Sequence, residues 1–588
     1  MIKVRGALKV AIIVVVAIVV GLVLYSVTPS MGEGLYEGKA IVHVAGGREF
    51  PVAFNFTIGV NAVDTVHEEV VNVNGEAIRV VVKVPAVKTI KLGTKLNVEV
   101  LINNTELVEL SKTRLVITTE SGNSFTYIPV SVSSSRAQFS STILYKTKEA
   151  AFVFGSALVL FIGASVVPYV ITSIYSTLAL YLLGALALKD PFTMYMSDTC
   201  LVFLAGSAFE LVLINTGLAD RIASALRAIA SSPSKLFMGT FILSGFLSMW
   251  MSNTSATYLL LPIISAIAMR AAIEGSKLYE LVLIGLATGA TCGGMATIIG
   301  TPPNLIASGY INNYLYGGKS VITFANWLYW GLPLFIIGSA IAYAVFTLMY
   351  RSMGRNEVDV VSKKLRGHSA KREPGKKWSP YEVTGLATVL FLVALWVTEP
   401  IHGIKTGVAG VLGLLVFLAT RVLRVQQVKD LSWDIVILMG AGLTLGKGLM
   451  DTGFSDWLAQ FFARFLDQPI ALMWLVGFVA LVIGTVISSH TSAAAFIAPI
   501  MAPIGYVLAT GMALPSARLG SAASIIIATC CINWAVALPI STPPSAIVFG
   551  TGKVRVKTLA TFGLIWGVTG TILTLLIVPS IVFNAVPI

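Results

Sequence analysis

Three short polar motifs occur twice in an otherwise apolar chain. The first copy reads Asn215-Thr216-Gly217, Ser252-Asn253-Thr254 and Thr301-Pro302-Pro303-Asn304. The second reads Asp451-Thr452-Gly453, Ser489-His490-Thr491 and Thr542-Pro543-Pro544-Ser545. The offsets between copies are 236, 237 and 241 residues. Ser248 stands four residues before Ser252, and Thr485 stands four before Ser489. Side chains of Ser, Asn and Thr supply neutral donors and acceptors. Paired prolines remove backbone donors and break a helix. The carbonyls they free can hold a cation, and the helix N-termini that follow favour an anion. No Lys or Arg lies in the motifs, which suits a site that must both bind and release. For a single motif, close packing through small residues explains the composition equally well. Three motifs in order at nearly constant spacing favour a site.

The elements that must position these residues are apolar spans. Spans are expected near 10–24, 151–170, 172–188, 197–215, 279–310, 327–349, 383–398, 404–423, 433–450, 519–550 and 562–583. Two further apolar stretches, 236–266 and 470–506, are interrupted midway by the Ser-Asn-Thr and Ser-His-Thr motifs. They read as re-entrant hairpins, because non-helical backbone at membrane depth needs protein or a watery cavity around it. An odd number of spans then separates the two copies, so their topologies are opposite. Inverted repeats with interrupted helices are the mark of secondary transporters, with the binding site where the repeats meet.

Composition agrees. Of 588 residues, 56% are hydrophobic and 12% charged, against about 25% charged in a soluble domain. The net charge of +13 does not indicate a nucleic-acid partner. Residues 31–149 hold 12 basic and 12 acidic groups, and the excess sits in 150–588, with 26 basic against 16 acidic. With the N-terminus inside, segments expected in the cytoplasm carry 20 of those 26 and outer loops five, as the positive-inside rule requires. The four cysteines lie in apolar segments without CxxC spacing, so neither a disulfide framework nor a metal site is expected. No Walker motif is present, which argues against ATP-driven transport.

Residues 31–146 differ in pattern. Segments such as 96–102 and 114–118 alternate at the period of strands. They predict a small β domain, sandwich-like and extracytoplasmic. Its two glycosylation-type sequons, at Asn55 and Asn103, carry little weight. Lys3, Arg5 and Lys9 precede the first apolar run, which resembles a signal peptide but reads as an uncleaved span. The expected organisation is an N-terminal span (1–30), the β domain (31–146), a first membrane repeat (147–350), a basic cytoplasmic loop (351–380) and a second membrane repeat (381–588). The fold class is thus an all-α polytopic membrane protein, an inverted-repeat transporter with two re-entrant hairpins and two broken helices, plus the β domain.

At Ser252-Asn-Thr-Ser-Ala-Thr, Ile299-Gly-Thr-Pro-Pro-Asn, Ser541-Thr-Pro-Pro and Ile547-Val-Phe-Gly-Thr-Gly the chain resembles the divalent anion:sodium symporter family, over roughly 150–588. The resemblance implies a multi-pass plasma-membrane carrier of dicarboxylates, citrate or sulfate, sodium-coupled, working as a homodimer by an elevator-type movement. It implies a sodium site at Ser248, Ser252, Asn253 and Gly300, and a second at Thr485, Ser488, His490 and Ser541. It implies substrate contacts from Asn253, Thr254, Thr301, Pro302, His490, Thr491, Thr542 and Pro543. The β domain lies outside the resemblance.

Two residues depart from the family pattern. His490 stands where the second motif has Asn, and Ser545 where the second Pro-Pro is followed by Asn. A titratable imidazole at a cation position puts the second sodium in doubt and opens an alternative, an exchanger or proton-coupled carrier in which His490 replaces one sodium. A membrane-anchored receptor acting through the β domain is the alternative of another class; paired hairpins exceed what an anchor needs. Glu210 and Lys447 are ionisable residues within spans and are candidates on that ground, although neither lies in a motif.

Overall fold

Period-2 alternation in the first quarter of the chain and continuous apolar runs beyond it dictate two kinds of structure. The computed structural model describes residues 2–586 apart from 32–33, 45–47, 74–75, 92–93, 104–112, 120–123, 128–130, 134, 163–166, 188, 230, 353–376, 464, 466, 488 and 513. Helix α1 (Ile2–Val27) packs along α2 (Thr147–Ile162), where Gly21 meets Phe152 and Gly155 meets Leu24. Between them lie β1 (Gly34–Val44), β2 (Arg48–Ile58), β3 (Thr65–Val73), β4 (Glu76–Val84), β5 (Lys95–Ile102), β6 (Arg114–Thr119), β7 (Ser124–Tyr127), β8 (Ser131–Ser133) and β9 (Arg136–Thr142).

These strands form two antiparallel sheets, ordered β2-β1-β6-β7 and β3-β4-β5-β9-β8. Side chains on one face of each sheet, such as Phe54, Ile117, Val82 and Val98, share one core. Alternate residues face opposite sides of a strand, so the alternating pattern supplies that core directly. Trp457, from the second half of the chain, packs against the same core.

Helices follow: α3 (Tyr169–Leu182), α4 (Lys189–Tyr195), α5 (Asp198–Thr216), α6 (Leu218–Ile229), α7 (Pro233–Ser248), α8 (Asn253–Arg270), α9 (Lys277–Ala296), α10 (Pro302–Tyr310) and α11 (Phe324–Arg351). Beyond the basic loop, whose residues 353–376 lie outside the described residues, come α12 (Pro380–Val397), α13 (Glu399–His402), α14 (Thr406–Ala419) and α15 (Trp433–Asp451). The last are α16 (Phe454–Ala463), α17 (Pro469–Val486), α18 (His490–Gly511), α19 (Ala517–Asn533), α20 (Pro543–Gly550) and α21 (Val556–Ala585).

Among the described residues, nine helical segments are long and apolar enough to cross a membrane. Four regions expected as spans are not among them, the first being 151–170, where α2 holds 16 described residues. α3 stops at the left-handed Gly184, α14 holds 14 residues, and α19 stops at the break before Pro543. The two interrupted stretches are helix pairs, α7/α8 and α17/α18, joined by the short segments 249–252 and 487–489. The two predicted broken helices are α9/α10 and α19/α20.

Close packing depends on small residues. α7 and α9 approach so tightly that a Cβ on Gly293 would run into the Gly245 backbone. Forcing extra atoms into a packed interior costs about 1–3 kcal/mol. Gly293→Ala is therefore expected to lower the melting temperature of the purified protein. Gly550→Ala, where nothing lies within 4 Å of the added carbon, leaves it unchanged.

Candidate functional site

The doubled motifs fold into doubled geometry. Asn215-Thr-Gly and Asp451-Thr-Gly end α5 and α15. Thr216 donates to the Val212 carbonyl and Thr452 to that of Gly448, both at 2.7 Å. Gly217 and Gly453 adopt φ of 78° and 75°, the left-handed region that ends a helix. Each motif thus stops a span and launches α6 or α16. Ser252 and Ser489 cap α8 and α18, accepting from the backbone N–H of Ser255 and Ser492, both at 3.2 Å. Thr301 and Thr542 sit at the N-caps of α10 and α20, each followed by its two prolines. There the missing N–H groups have no helical partner to lose.

In the first repeat, Ser248 Oγ lies 2.5 Å from Asn253 Oδ1. A Cβ built on Gly300 would stand 2.9 Å from the Ser248 carbonyl oxygen, and one on Gly294 would run into Asn253 Oδ1. The structure therefore brings Ser248, Asn253 and Gly300 together. Thr297 closes this break, donating to the Met249 carbonyl at 2.6 Å and accepting from the Gly300 N–H at 3.1 Å. The Ser252 side chain turns elsewhere, to Glu210.

In the second repeat, Ser541 Oγ donates to the Thr485 carbonyl at 3.0 Å. His490 Nε2 lies 2.9 Å from the Ala535 carbonyl. A ring nitrogen against a carbonyl must carry the proton, and the Asn533 side chain and the Gly484 backbone also lie against this ring. Thr485, His490 and Ser541 thus all border the α19/α20 break. Ser488 lies outside the described residues. Thr542 accepts from the Ser545 N–H at 3.2 Å.

The two repeats interlock. α10 packs against α18 of the opposite repeat, and α20 against α8. Thr301 and Pro302 therefore begin a helix lying on the one that His490 and Thr491 begin. Thr542 and Pro543 stand likewise toward Asn253 and Thr254. At the centre, Asn533 Nδ2 donates to Asn304 Oδ1 at 3.0 Å. Asn304 Nδ2 reaches the carbonyls of Gly294 at 3.1 Å and Thr297 at 2.8 Å. Both amides are buried. The stitch thus joins the two repeats through Asn304, and Ser545 stands at the equivalent position of the second repeat.

A profile of the sodium:sulfate symporter transmembrane region matches residues 139–583. The chain belongs to the sodium:sulfate symporter family. It is a polytopic membrane transporter, not an enzyme. Relatives include the sodium-dependent dicarboxylate transporters of Staphylococcus saprophyticus and of Staphylococcus aureus USA300, each 28% identical. The alignments cover 72% and 70% of this chain and 83% and 82% of theirs. The crystal structure of the Alcanivorax borkumensis YdaH transporter matches at 14% identity and a TM-score of 0.46, over 68% of this chain and 88% of that one. In this symporter-family chain the strands before residue 139 precede the matched region.

The ionisable span residues find partners. Lys447 pairs with Asp451 of the second Asp-Thr-Gly motif. Glu210 accepts from the Ser252 N–H at 3.0 Å, from Ser252 Oγ at 3.3 Å and from Ser255 Oγ. It therefore touches a motif that lies 42 residues away. Its one sequence signal is a carboxylate in an apolar span.

Removing one partner of a buried hydrogen bond costs about 1–3 kcal/mol. Asn304→Ala and Asn533→Ala are each expected to lower the melting temperature. The double variant should lose less than the sum, which a double-mutant cycle measures.

Proposed function

We propose that this protein is a secondary active transporter that moves a small divalent anion across the cell membrane with sodium. The anion class is a di- or tricarboxylate, or sulfate. The observation that carries this reading is the crossed packing of each proline-started half-helix on the opposite repeat's hairpin, which sets four helices with motif-bearing N-termini in two contacting pairs across the repeats. Such N-termini favour an anion without a fixed countercharge. The staphylococcal relatives, sodium-dependent dicarboxylate transporters by name, support the same class.

On this reading Ser248, Ser252, Asn253 and Gly300 hold one sodium. Thr485, Ser488, His490 and Ser541 form the second cation position. Asn253, Thr254, Thr301, Pro302, His490, Thr491, Thr542 and Pro543 contact the anion. The pairs α7/α8 and α17/α18 are re-entrant, the strand domain 31–146 and the C-terminus are extracytoplasmic, and the N-terminus is cytoplasmic. Ser252 is exposed, and Asn253 and Thr254 are half-buried, whereas His490 and Thr491 are each 8% exposed. The conformation is then the one that opens toward the cytoplasm. The carrier works as a homodimer, and an elevator-type movement exposes the second motif instead.

The test is uptake by proteoliposomes under an inward sodium gradient, comparing dicarboxylates, citrate and sulfate. Sodium-dependent uptake of one class is expected from the unaltered protein. Asn253→Ala and Thr254→Ala should each cut it about tenfold or more, given about 1.5–3 kcal/mol for a hydrogen bond to a charged group. Normal uptake by both variants would refute the site.

A further inference from the structure

The inverted repeats do not pack alike. In the second repeat α18 lies along α15, where a Cβ on Gly442 would stand 2.7 Å from that of Ala495. The repeat offsets make Gly206 and Tyr258 the equivalents of that pair. Yet Tyr258 is 59% exposed, and Gly206 faces Ile299 instead. The first hairpin meets α5 chiefly through its tip. Trp250, in the tip, stacks on Phe209 with ring centroids 5.6 Å apart and planes 12° apart. The next residue, Glu210, takes the Ser252 N–H and the hydroxyls of Ser252 and Ser255.

The second repeat lacks these groups. Leu445, Gly446 and Ile487 stand at the positions equivalent to Phe209, Glu210 and Trp250. Ser492, the counterpart of Ser255, is buried, and among the described residues its hydroxyl has no hydrogen-bond partner. Among the described residues, aromatic stacking and carboxylate hydrogen bonds of this kind therefore hold the tip of the first hairpin alone.

We propose that Phe209 and Glu210 form a one-sided dock for the tip of the first hairpin, which holds the carrier with its first motif exposed. In inverted-repeat carriers the opposite state arises when one repeat moves against the other about the site. If the repeats exchange arrangements, Tyr258 moves onto Gly206, Ala495 leaves Gly442, and the tip leaves Glu210. No carboxylate receives the second tip, so the exchanged state lacks an equivalent dock. Glu210 thus acts as a positioning residue that biases the resting equilibrium. This inference rests on the alternating-access reading above.

The four native cysteines are buried, so introduced thiols report alone. Single Tyr258→Cys and Ala495→Cys proteins are labelled with a water-soluble maleimide, without substrate, in detergent. Adding Glu210→Ala should slow labelling at 258 about threefold or more and speed it at 495, where the native alanine is 1% exposed. Glu210→Gln, which keeps one acceptor oxygen, should give a smaller shift in the same direction. Should Glu210→Ala fail to fold, Phe209→Leu, which installs the second repeat's residue, must shift both rates the same way. Unchanged rates at both positions would overturn the dock. Labelling needs no transported anion. A labelling shift without sodium-driven uptake would therefore count against the transport reading and leave the dock standing.

Discussion

Backbone broken inside an apolar layer must find its hydrogen-bond partners within the protein. The chain breaks two long helices at Thr297–Thr301 and Trp534–Thr542 and turns two hairpins at 249–252 and 487–489. Each break is closed by a side chain of the same repeat, Thr297 on the Met249 carbonyl and Ser541 on the Thr485 carbonyl. Hairpin and broken helix are thus bonded to one another. The groups left over at the half-helix ends are what a cation and an anion can use.

The repeats are symmetric in their closures and asymmetric in their surroundings. The Ser252 and Ser489 caps, the prolines and the left-handed glycines recur, whereas Thr542 caps its half-helix with its side chain and Thr301 does not. Asn304, Phe209 and Glu210 have no counterpart, because Ser545, Leu445 and Gly446 stand in their places. Two-fold related machinery in one chain needs such differences if its two end states are to differ in energy. The strand region adds another, since Trp457 of α16 packs both on the strand core and on the membrane helices, while Thr147 donates to the Thr452 carbonyl at 2.7 Å. The helix launched by the second Asp-Thr-Gly motif is therefore braced by the strands.

The parts legible in sequence are those written locally. Proline pairs mark the half-helix starts, and small polar residues inside apolar runs mark the hairpin tips. Alternation at 96–102 and 114–118 became β5 and β6. Span lengths were less legible, since α3 ends at a left-handed glycine and α14 holds only 14 residues. Side-chain partners far apart in sequence were not legible from the local pattern. Nothing near Glu210 points to Ser252 and Ser255, and the Asn304–Asn533 stitch joins residues 229 apart. Such partners follow from helix packing, which the local pattern constrains without specifying.

Coupled transport requires that one site between the repeats bind an anion and sodium together. Thermal unfolding of the purified protein, with dicarboxylates, citrate or sulfate in sodium chloride or choline chloride, tests it most directly. A ligand that binds only the folded state raises the melting temperature. One anion class should therefore stabilise the protein in sodium and have little effect in choline. Equal stabilisation in both salts, or none by any of these anions in sodium, would rule out a shared site for anion and sodium.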